Sequence, residues 1–165
     1  MSDNVCGIKK MEKTNVMRIL DKHKVEYKAY SYADKPTTCG VEVAELLGQN
    51  PNQVFKTLVT VSKSKRYYVF MLPVADELDL KKAAVSVGEK AIDMLKSKEL
   101  LPLTGYVHGG CSPIGMKKLF TTVVHQTAEQ FPTIIFSGGK IGYQVDVRLS
   151  DLQKIVPFIV ADVVV

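Results

Sequence analysis

Apolar positions recur along the chain in two periods, one typical of helices and one typical of strands. From residue 16 to residue 20 they follow helical spacing behind Thr14, which predicts a short helix capped by that threonine. Residues 25–32 alternate between apolar and polar side chains and include three tyrosines, a pattern that favours a strand. Residues 41–47 then predict a second helix, which ends at Gly48.

The remainder of the chain continues as short strands and helices. The predicted strands are residues 54–61, 67–74, 121–124, 133–136, 143–149 and 158–165, and the predicted helices are residues 78–87 and 91–95. A turn at 62–66 joins the first two of these strands as a hairpin. Ser150 and Gln153 form a capping box that begins another short helix. This mixture of hairpins and short helices predicts an α+β domain around a mixed sheet.

The length of 165 residues favours one domain, which we place at residues 13–165 behind a polar, flexible leader at 1–12. No apolar run is long enough to span a membrane. The three cysteines show no Cys-x-x-Cys spacing, which argues against a disulfide framework and favours a reducing cytoplasm. The net charge of +5 permits a polyanionic partner, but the lysines are dispersed, so a nucleic acid would be held by its backbone.

The strand predicted at residues 54–61 is apolar on both faces, which suits a strand that is covered on both sides. Lys56 then lies among buried neighbours, where loss of solvation should lower its pKa unless an anion pairs with it. The alternative is an edge-strand lysine that blocks aggregation. Because hydrophobicity on both faces argues against an edge, we favour a functional or ligand-paired Lys56.

Residues 105–115 read Gly-Tyr-Val-His-Gly-Gly-Cys-Ser-Pro-Ile-Gly and form a glycine-rich loop. Gly109 and Gly110 would allow the backbone to approach a ligand closely. Ser112 followed by Pro113 predicts that a helix begins there. Free N–H groups and the helix dipole could then hold a phosphate, a carboxylate or an oxyanion. A glycine turn that only starts a helix is the alternative interpretation.

Cys111 follows His108 by three residues within this loop, and a thiol near a helix N-terminus is primed to ionise. Residues so close in a turn rarely face each other, however, so a Cys111 nucleophile is the less favoured interpretation. The three histidines lack ligand spacing, and no Walker or dinucleotide motif is present. We therefore expect no metal and no cofactor.

A second glycine element, Ser-Gly-Gly-Lys at 137–140, follows the strand predicted at 133–136. Its ordinary interpretation is a β-turn that joins two strands. It could also supply a second backbone-accessible loop, which would form the opposite wall of the same pocket.

Three motifs occur together in one order: Val-Phe-Lys-Thr-Leu around Lys56, Gly-Gly-Cys-Ser-Pro-Ile-Gly at 109–115, and Ser-Gly-Gly-Lys at 137–140. In this combination residues 13–165 resemble the YbaK family of bacterial Cys-tRNA(Pro) deacylases, which are related to the editing domain of prolyl-tRNA synthetases. The resemblance implies a mixed, barrel-like sheet of about six or seven strands flanked by short helices. It also implies a cytoplasmic enzyme that edits mischarged tRNA in trans, with prolyl-tRNA synthetase as a partner.

The resemblance further implies the residues of the site. Lys56 would lie in the pocket near the tRNA 3′ end, and backbone groups of Gly109 and Gly110 would contact the aminoacyl ester or the terminal adenosine. The positions that match pocket-lining family residues are Tyr30, Tyr106 and Ser137. In the family's reaction the cysteinyl thiol attacks its own ester carbonyl and releases tRNA and a thiolactone. The protein would orient the ester and stabilise the developing oxyanion.

One position departs from the family pattern. After Ser-Gly-Gly-Lys-x-Gly-x an aspartate is expected, and this chain has Gln144 in the substrate pocket instead. A neutral amide still forms hydrogen bonds, but it cannot pair as a charge with Lys56 or with a substrate amine. The selected ester could therefore be Cys-tRNA(Pro), Cys-tRNA(Cys) or Ala-tRNA(Pro). A non-catalytic module that binds tRNA or the synthetase is a further alternative, and under the family mechanism Cys111 is only a small loop residue.

Overall fold

The computed structural model describes residues 12–35 and 37–165 of the chain. Its helices are α1 (Asn15–Lys22), α2 (Gly40–Leu46), α3 (Leu80–Ser86), α4 (Ser97–Thr104) and α5 (Leu149–Ile155). Its strands are β1 (Tyr27–Ser31), β2 (Phe55–Ser62), β3 (Tyr67–Pro73), β4 (Ile92–Met94), β5 (Thr121–His125), β6 (Thr133–Ser137), β7 (Tyr143–Arg148) and β8 (Phe158–Ala161). The leader expected at residues 1–12 lies outside the described residues, apart from Glu12.

The strands of the described chain form two sheets. One is an antiparallel sheet of three strands in the order β1-β7-β6, and the other has five strands in the order β4-β2-β3-β5-β8. The five-stranded sheet is mixed, because β3, β5 and β8 run parallel while β4, β2 and β3 alternate. A parallel bridge between Val54 and Ile135 joins the two sheets. The predicted α+β class with a mixed sheet is confirmed, although its eight strands divide into two sheets instead of one barrel-like sheet of six or seven.

The main core lies between the two sheets and is closed by helices α1 and α5. Its fully buried members include Leu20 from α1, Phe55 from β2, Phe136 from β6 and Leu152 from α5. A second cluster packs α3 against the opposite face of the five-stranded sheet. A third packs α2 against the outer face of the three-stranded sheet, around Ala44. Both faces of β2 are therefore covered, as its apolar pattern predicted.

Local signals at the first helix and the first hairpin are confirmed. Thr14 caps α1, since its side chain accepts a hydrogen bond from the Met17 N–H at 3.2 Å. Strands β2 and β3 pair in antiparallel register around a turn in which the Ser62 N–H donates to the Arg66 carbonyl. Both features depend on a few consecutive residues, so the sequence pattern is sufficient to predict them.

Residues 91–95 were predicted as a helix, and this prediction is wrong. They contain β4, because Ile92–Met94 pairs with the end of β2 and tertiary pairing overrides the local pattern. The helix of this region is α4, which the sequence analysis did not predict. Its apolar pattern contains Pro102, a residue that normally interrupts helices because it lacks the N–H group.

The helix predicted to begin at Ser112 and Pro113 is also absent from the structure, in which residues 105–120 are all described. The Ser112 hydroxyl accepts a hydrogen bond from the Ile114 N–H at 3.3 Å, so a single turn does form. It ends there because Gly115 has a left-handed φ of +82°. The Tyr106 hydroxyl also donates to the Ile114 carbonyl, which a continuing helix would use.

The capping box predicted at Ser150 and Gln153 is a further correction. Helix α5 begins at Leu149, two residues before the Asp151 that a Ser150 cap would make its first residue, with Arg148 at the cap position and no capping hydrogen bond from a side chain. Ser150 therefore lies inside the helix, whose existence was predicted correctly.

Among the described residues, none of the helices is long and apolar enough to cross a membrane.

Candidate active site

A cavity opens beside β2, at the place where the two sheets separate. Its volume is about 240 Å³, below the roughly 300–1,000 Å³ of typical sites for small molecules. Strand β2 forms the floor, β6 and β7 form one wall, and the segment from β4 to α4 forms another, with the glycine-rich loop closing it. The polar and titratable residues in its lining are Tyr32, Thr37, Thr38, Lys56, Thr57, Ser97, His108, Cys111, Ser137 and Gln144.

Lys56 projects into this cavity from β2. The strand lies inside the five-stranded sheet between β4 and β3, so Lys56 is not on an outer edge strand. Burial lowers the pKa of the Lys56 ammonium, as its strand pattern predicted, and the carboxylates of Asp76 and Glu77 oppose part of that change. None of the ion pairs among the described residues includes Lys56. Its charge is therefore available to an anionic group of a ligand.

Gly109 brings the glycine-rich loop against the cavity. Its φ is +86°, and a Cβ atom at this position would lie 2.6 Å from the Thr38 Cγ2 atom, so the site requires glycine. Gly110 does not belong to the cavity lining. Its N–H donates to the Val107 carbonyl at 3.0 Å and is engaged within the turn. Of the two glycines, Gly109 is the one whose backbone the cavity can use.

Tyr106 is a buried residue of the glycine-rich loop and does not line the cavity. Its ring and hydroxyl fill the space next to two glycines: a Cβ at Gly115 would lie 2.7 Å from the hydroxyl oxygen, and one at Gly139 would lie 3.3 Å from Cε1. Burial raises the pKa of Tyr106 to about 12. Tyr106 thus packs between the two glycine elements, and its contacts show how both loops are held beside the cavity.

The tyrosine that lines the cavity is Tyr32, whereas Tyr30 lies outside it. Tyr30 packs on the outer face of the three-stranded sheet, with its hydroxyl 3.5 Å from Asp146 Oδ2. Alternation along β1 would place Tyr30 and Tyr32 on the same face. Strand β1 ends at Ser31, although the Tyr32 N–H still donates to the Gly142 carbonyl at 2.7 Å in the register of the β1–β7 pairing, and it is Tyr32 that lies at the cavity.

Ser137 and Gln144 are opposite each other on β6 and β7, and both line the cavity. Gln144 is buried, and its Oε1 accepts a hydrogen bond of 2.7 Å from Gln49 Nε2. The Gln49 Oε1 atom is buried and has no partner within the described part of the chain. This bond directs the Gln144 oxygen toward Gln49 and leaves its N–H groups for the cavity. Gln49 carries no motif, so the sequence analysis did not identify it.

Cys111 lies buried in the cavity wall three residues from His108, which also lines the cavity. Burial raises the pKa of the Cys111 thiol to about 12, so the thiol is protonated at neutral pH. The helix N-terminus that would have favoured its ionisation does not form. The structure therefore gives no support to a Cys111 nucleophile.

The described lining contains one lysine and no Asp or Glu side chain. Within residues 12–35 and 37–165, no group of three or more His, Cys, Asp or Glu side chains is placed to hold a metal ion. The cavity thus presents a cation, hydroxyls and an amide in an apolar setting. This combination suits an ester next to an anionic group.

Comparison with known proteins supplies the family. The aminoacyl-tRNA editing domain matches residues 35–155, which is most of the chain. The chain belongs to this family. The resemblance to YbaK-type editing proteins, drawn from the motif around Lys56 and the two glycine elements, is confirmed.

Among the relatives is EbsC of Enterococcus faecalis (strain ATCC 700802 / V583), provisionally named a Cys-tRNA(Pro)/Cys-tRNA(Cys) deacylase. It is 47% identical over 139 residues, which are 84% of this chain and 85% of EbsC. A crystal structure of the hypothetical protein APE2540 is 23% identical and covers 93% of this chain and all of its own, with a TM-score of 0.83. Another, provisionally described as a trans-editing enzyme for prolyl-tRNA synthetase, is 22% identical, covers 94% and 99% of the two chains and has a TM-score of 0.79. These two structures share the fold.

Proposed function

We propose that this protein is an aminoacyl-tRNA deacylase that removes cysteine from mischarged Cys-tRNA(Pro). The observation that carries the proposal is the convergence of Lys56, Gly109, Ser137 and Gln144, which come from three separate stretches of the sequence, on one small cavity. Membership of the editing-domain family and the 47% identity to EbsC support it. Cys-tRNA(Cys), which the name of EbsC also includes, is a second possible substrate of the same reaction.

The size and composition of the cavity fit the aminoacyl end of such a substrate. About 240 Å³ accommodates a small amino-acid group while the tRNA stays outside. The apolar wall formed by Phe55, Leu100 and Phe136 suits the cysteine side chain. Lys56 would attract the negatively charged groups of the tRNA 3′ end, and Gly109 would place its backbone against the ester.

In the proposed reaction the substrate provides its own nucleophile. The cysteinyl sulfur attacks the ester carbonyl, the bond between that carbon and the ribose oxygen breaks, and the ribose oxygen takes up the proton that the thiol loses. The tRNA and a cysteine thiolactone are the products. Catalysis then consists of orienting the ester and stabilising the oxyanion, a scheme that is consistent with a protonated Cys111.

A second candidate is hydrolysis of Ala-tRNA(Pro) by an activated water. The observation that favours it is His108 in the cavity lining, since histidine is the side chain that most often acts as a general base. The two candidates differ in whether the substrate needs a thiol. In both, the partners are the 3′ end of tRNA and, as a further part of the proposal, prolyl-tRNA synthetase in the cytoplasm.

The test is amino-acid release from Cys-tRNA(Pro) and Ala-tRNA(Pro) by the wild type, Lys56→Ala and Lys63→Ala. Lys63 is an exposed lysine of the β2–β3 turn and serves as the matched control. We expect release of cysteine alone, a loss of roughly a hundredfold in Lys56→Ala, and wild-type rates in Lys63→Ala. Release of alanine that depends on His108 would favour the hydrolytic candidate. If neither ester is consumed, the protein is not a deacylase of these tRNAs and a tRNA- or synthetase-binding module replaces the proposal.

A further inference from the structure

The edge of β2 that faces the cavity has a gap in its pairing. On its other edge β2 pairs with β3 from Phe55 to Val61 without interruption. On the cavity edge, the bridge from Val54 to β6 is isolated, and the ladder with β4 begins only at Thr60. No strand among the described residues pairs with this edge in between, and residues 55–59 all line the cavity.

The main-chain direction of each residue in the gap follows from the hydrogen bonds at its two ends. The Val54 carbonyl accepts from the Val74 N–H at 2.9 Å, so Val54 faces β3. The Val59 carbonyl accepts from the Leu95 N–H at 3.0 Å, so Val59 faces the cavity edge. Direction alternates along a strand, which places the N–H and C=O groups of Thr57 on the cavity edge at the centre of the gap.

A strand residue whose N–H and C=O point the same way offers a donor and an acceptor to one residue of an antiparallel partner. The aminoacyl end of a charged tRNA is such a residue, with an α-amine that donates and an ester carbonyl that accepts. Its amine needs an acceptor, and the described cavity lining has no carboxylate side chain to supply one. Its carbonyl needs a donor, and the Gly110 N–H is already bonded to Val107.

We propose that the aminoacyl group of the substrate binds as a one-residue strand on Thr57, donating its amine to the Thr57 carbonyl and accepting the Thr57 N–H at its ester oxygen. This inference rests on the proposed deacylase function and deepens it, because it names the groups that hold the reacting ester. The Thr57 N–H then stabilises the oxygen on which negative charge develops during the attack.

The geometry also places the amino-acid side chain. Residues directly opposite each other in an antiparallel pair project to the same face of the sheet. The substrate side chain therefore lies on the face of Phe55 and Val59, which belong to the main core together with Cys111 and Phe136. This is the apolar side of the cavity, and it suits a short, weakly polar side chain such as that of cysteine.

The direct test is to replace Thr57 with its α-hydroxy analogue, which turns the N–H into an ester oxygen and leaves the side chain unchanged. The same replacement at Val61 is the control, since Val61 lies on the same edge but within the β4 ladder and outside the cavity. On Cys-tRNA(Pro) we expect kcat/KM to fall by roughly a hundredfold at Thr57. At Val61 we expect a lower melting temperature with an unchanged kcat/KM.

Standard mutagenesis gives a second measurement. Thr57→Pro also removes the N–H, and proline is tolerated where the N–H is not part of a ladder. Thr57→Val keeps the N–H and removes only a hydroxyl that has no partner among the described residues. We expect Thr57→Pro to be slower than Thr57→Val by roughly a hundredfold. Equal rates for the two folded variants would overturn the role of the N–H.

The contact between the substrate amine and the Thr57 carbonyl is tested by changing the substrate. 3-Mercaptopropionyl-tRNA(Pro) keeps the thiol and the ester but lacks the amine, and we expect the wild type to consume it about tenfold more slowly than Cys-tRNA(Pro). Equal consumption of the two esters would overturn the contact between the amine and the Thr57 carbonyl. If activity requires Lys56 but is unaffected by removal of the Thr57 N–H and by removal of the substrate amine, this inference is refuted and the proposed deacylase function stands. An inactive wild type would refute the proposed function and this inference with it.

Discussion

Strand β2 and the glycine-rich loop at 105–115 both line the cavity, yet their sequences predict their structures very differently. The apolar pattern of β2 predicts a strand at 54–61 that is covered on both faces, and the structure has the strand at Phe55–Ser62 with both faces covered. Burial also lowers the pKa of Lys56, in the predicted direction. The loop pattern predicts a helix after Ser112 that does not form. A strand repeats every two residues, so its pattern is local, whereas the course of a loop depends on what packs against it. Within this loop Tyr106 packs against Gly115, and from outside it Thr38 packs against Gly109.

Lys56→Met should have the largest effect on deacylation. It also separates the role of Lys56 in catalysis from its effect on the stability of the fold. We expect deacylation of Cys-tRNA(Pro) to fall by roughly a hundredfold or more. We also expect the variant to be more stable than the wild type at neutral pH, because the wild type carries a desolvated ammonium there.

The pH dependence checks this explanation. The pKa of Lys56 is lower in the folded protein than in the unfolded chain, so the unfolded chain binds more protons between the two values. Wild-type stability therefore rises with pH across that window, and the advantage of Lys56→Met shrinks as the pH approaches 10.5. Denaturant unfolding at several pH values measures this stability difference between Lys56→Met and the wild type, with Lys63→Met as the control. A variant less stable than the wild type at neutral pH contradicts the argument.

Gly109→Ala tests whether tertiary contact decides the loop. Both the left-handed φ and the clash with Thr38 oppose a Cβ there, so we expect a loss of stability of more than about 2 kcal/mol and a large loss of deacylation. Gly88→Ala is the control: its φ of +75° is also left-handed, but no atom lies within 4 Å of the added Cβ. Gly88→Ala should lower the free energy of unfolding by only about 1 kcal/mol and leave the deacylation activity unchanged. Equal costs for the two variants would show that backbone strain alone matters.

Gln49→Met should have a moderate effect on selectivity. The substitution removes the 2.7 Å hydrogen bond to Gln144, so the Gln144 amide can rotate and present its oxygen to the cavity. We expect the ratio of kcat/KM for Cys-tRNA(Pro) to that for Ala-tRNA(Pro) to change by about five- to tenfold. The exposed Gln126→Met provides the control. An unchanged ratio would mean that the amide orientation does not contribute to amino-acid choice.

Cys111→Ala should have the smallest effect on activity. The thiol is buried and protonated, so we expect deacylation within about threefold of the wild type and a stability loss of about 1 kcal/mol from the small cavity. Thiol labelling gives a second measurement: in a Cys6→Ser, Cys39→Ser background the folded protein should react slowly. Inactivation by Cys111→Ala without loss of folding would restore the cysteine nucleophile.

Several features of the site could be predicted from the sequence because they are local. The capped helix α1, the β2–β3 hairpin and the two glycine elements follow from consecutive residues. Tyr30, which the resemblance places in the pocket lining, lies outside the cavity, whereas Tyr32, one residue beyond the end of β1 at Ser31, lines it. A periodic pattern cannot show where a strand ends when the neighbouring residues are equally apolar.

By itself the sequence determined the α+β class, the family, and Lys56 as a half-buried cation on a strand covered on both faces. These depend on composition, short-range period and motif order, which are properties of the chain alone. Only the tertiary structure decided that the strands form two sheets, that these separate beside Thr57, and that Gln49 orients Gln144. The cavity exists because β2 leaves β6 after one bridge and meets β4 only at Thr60, and such a gap depends on pairing between residues 30 to 81 positions apart.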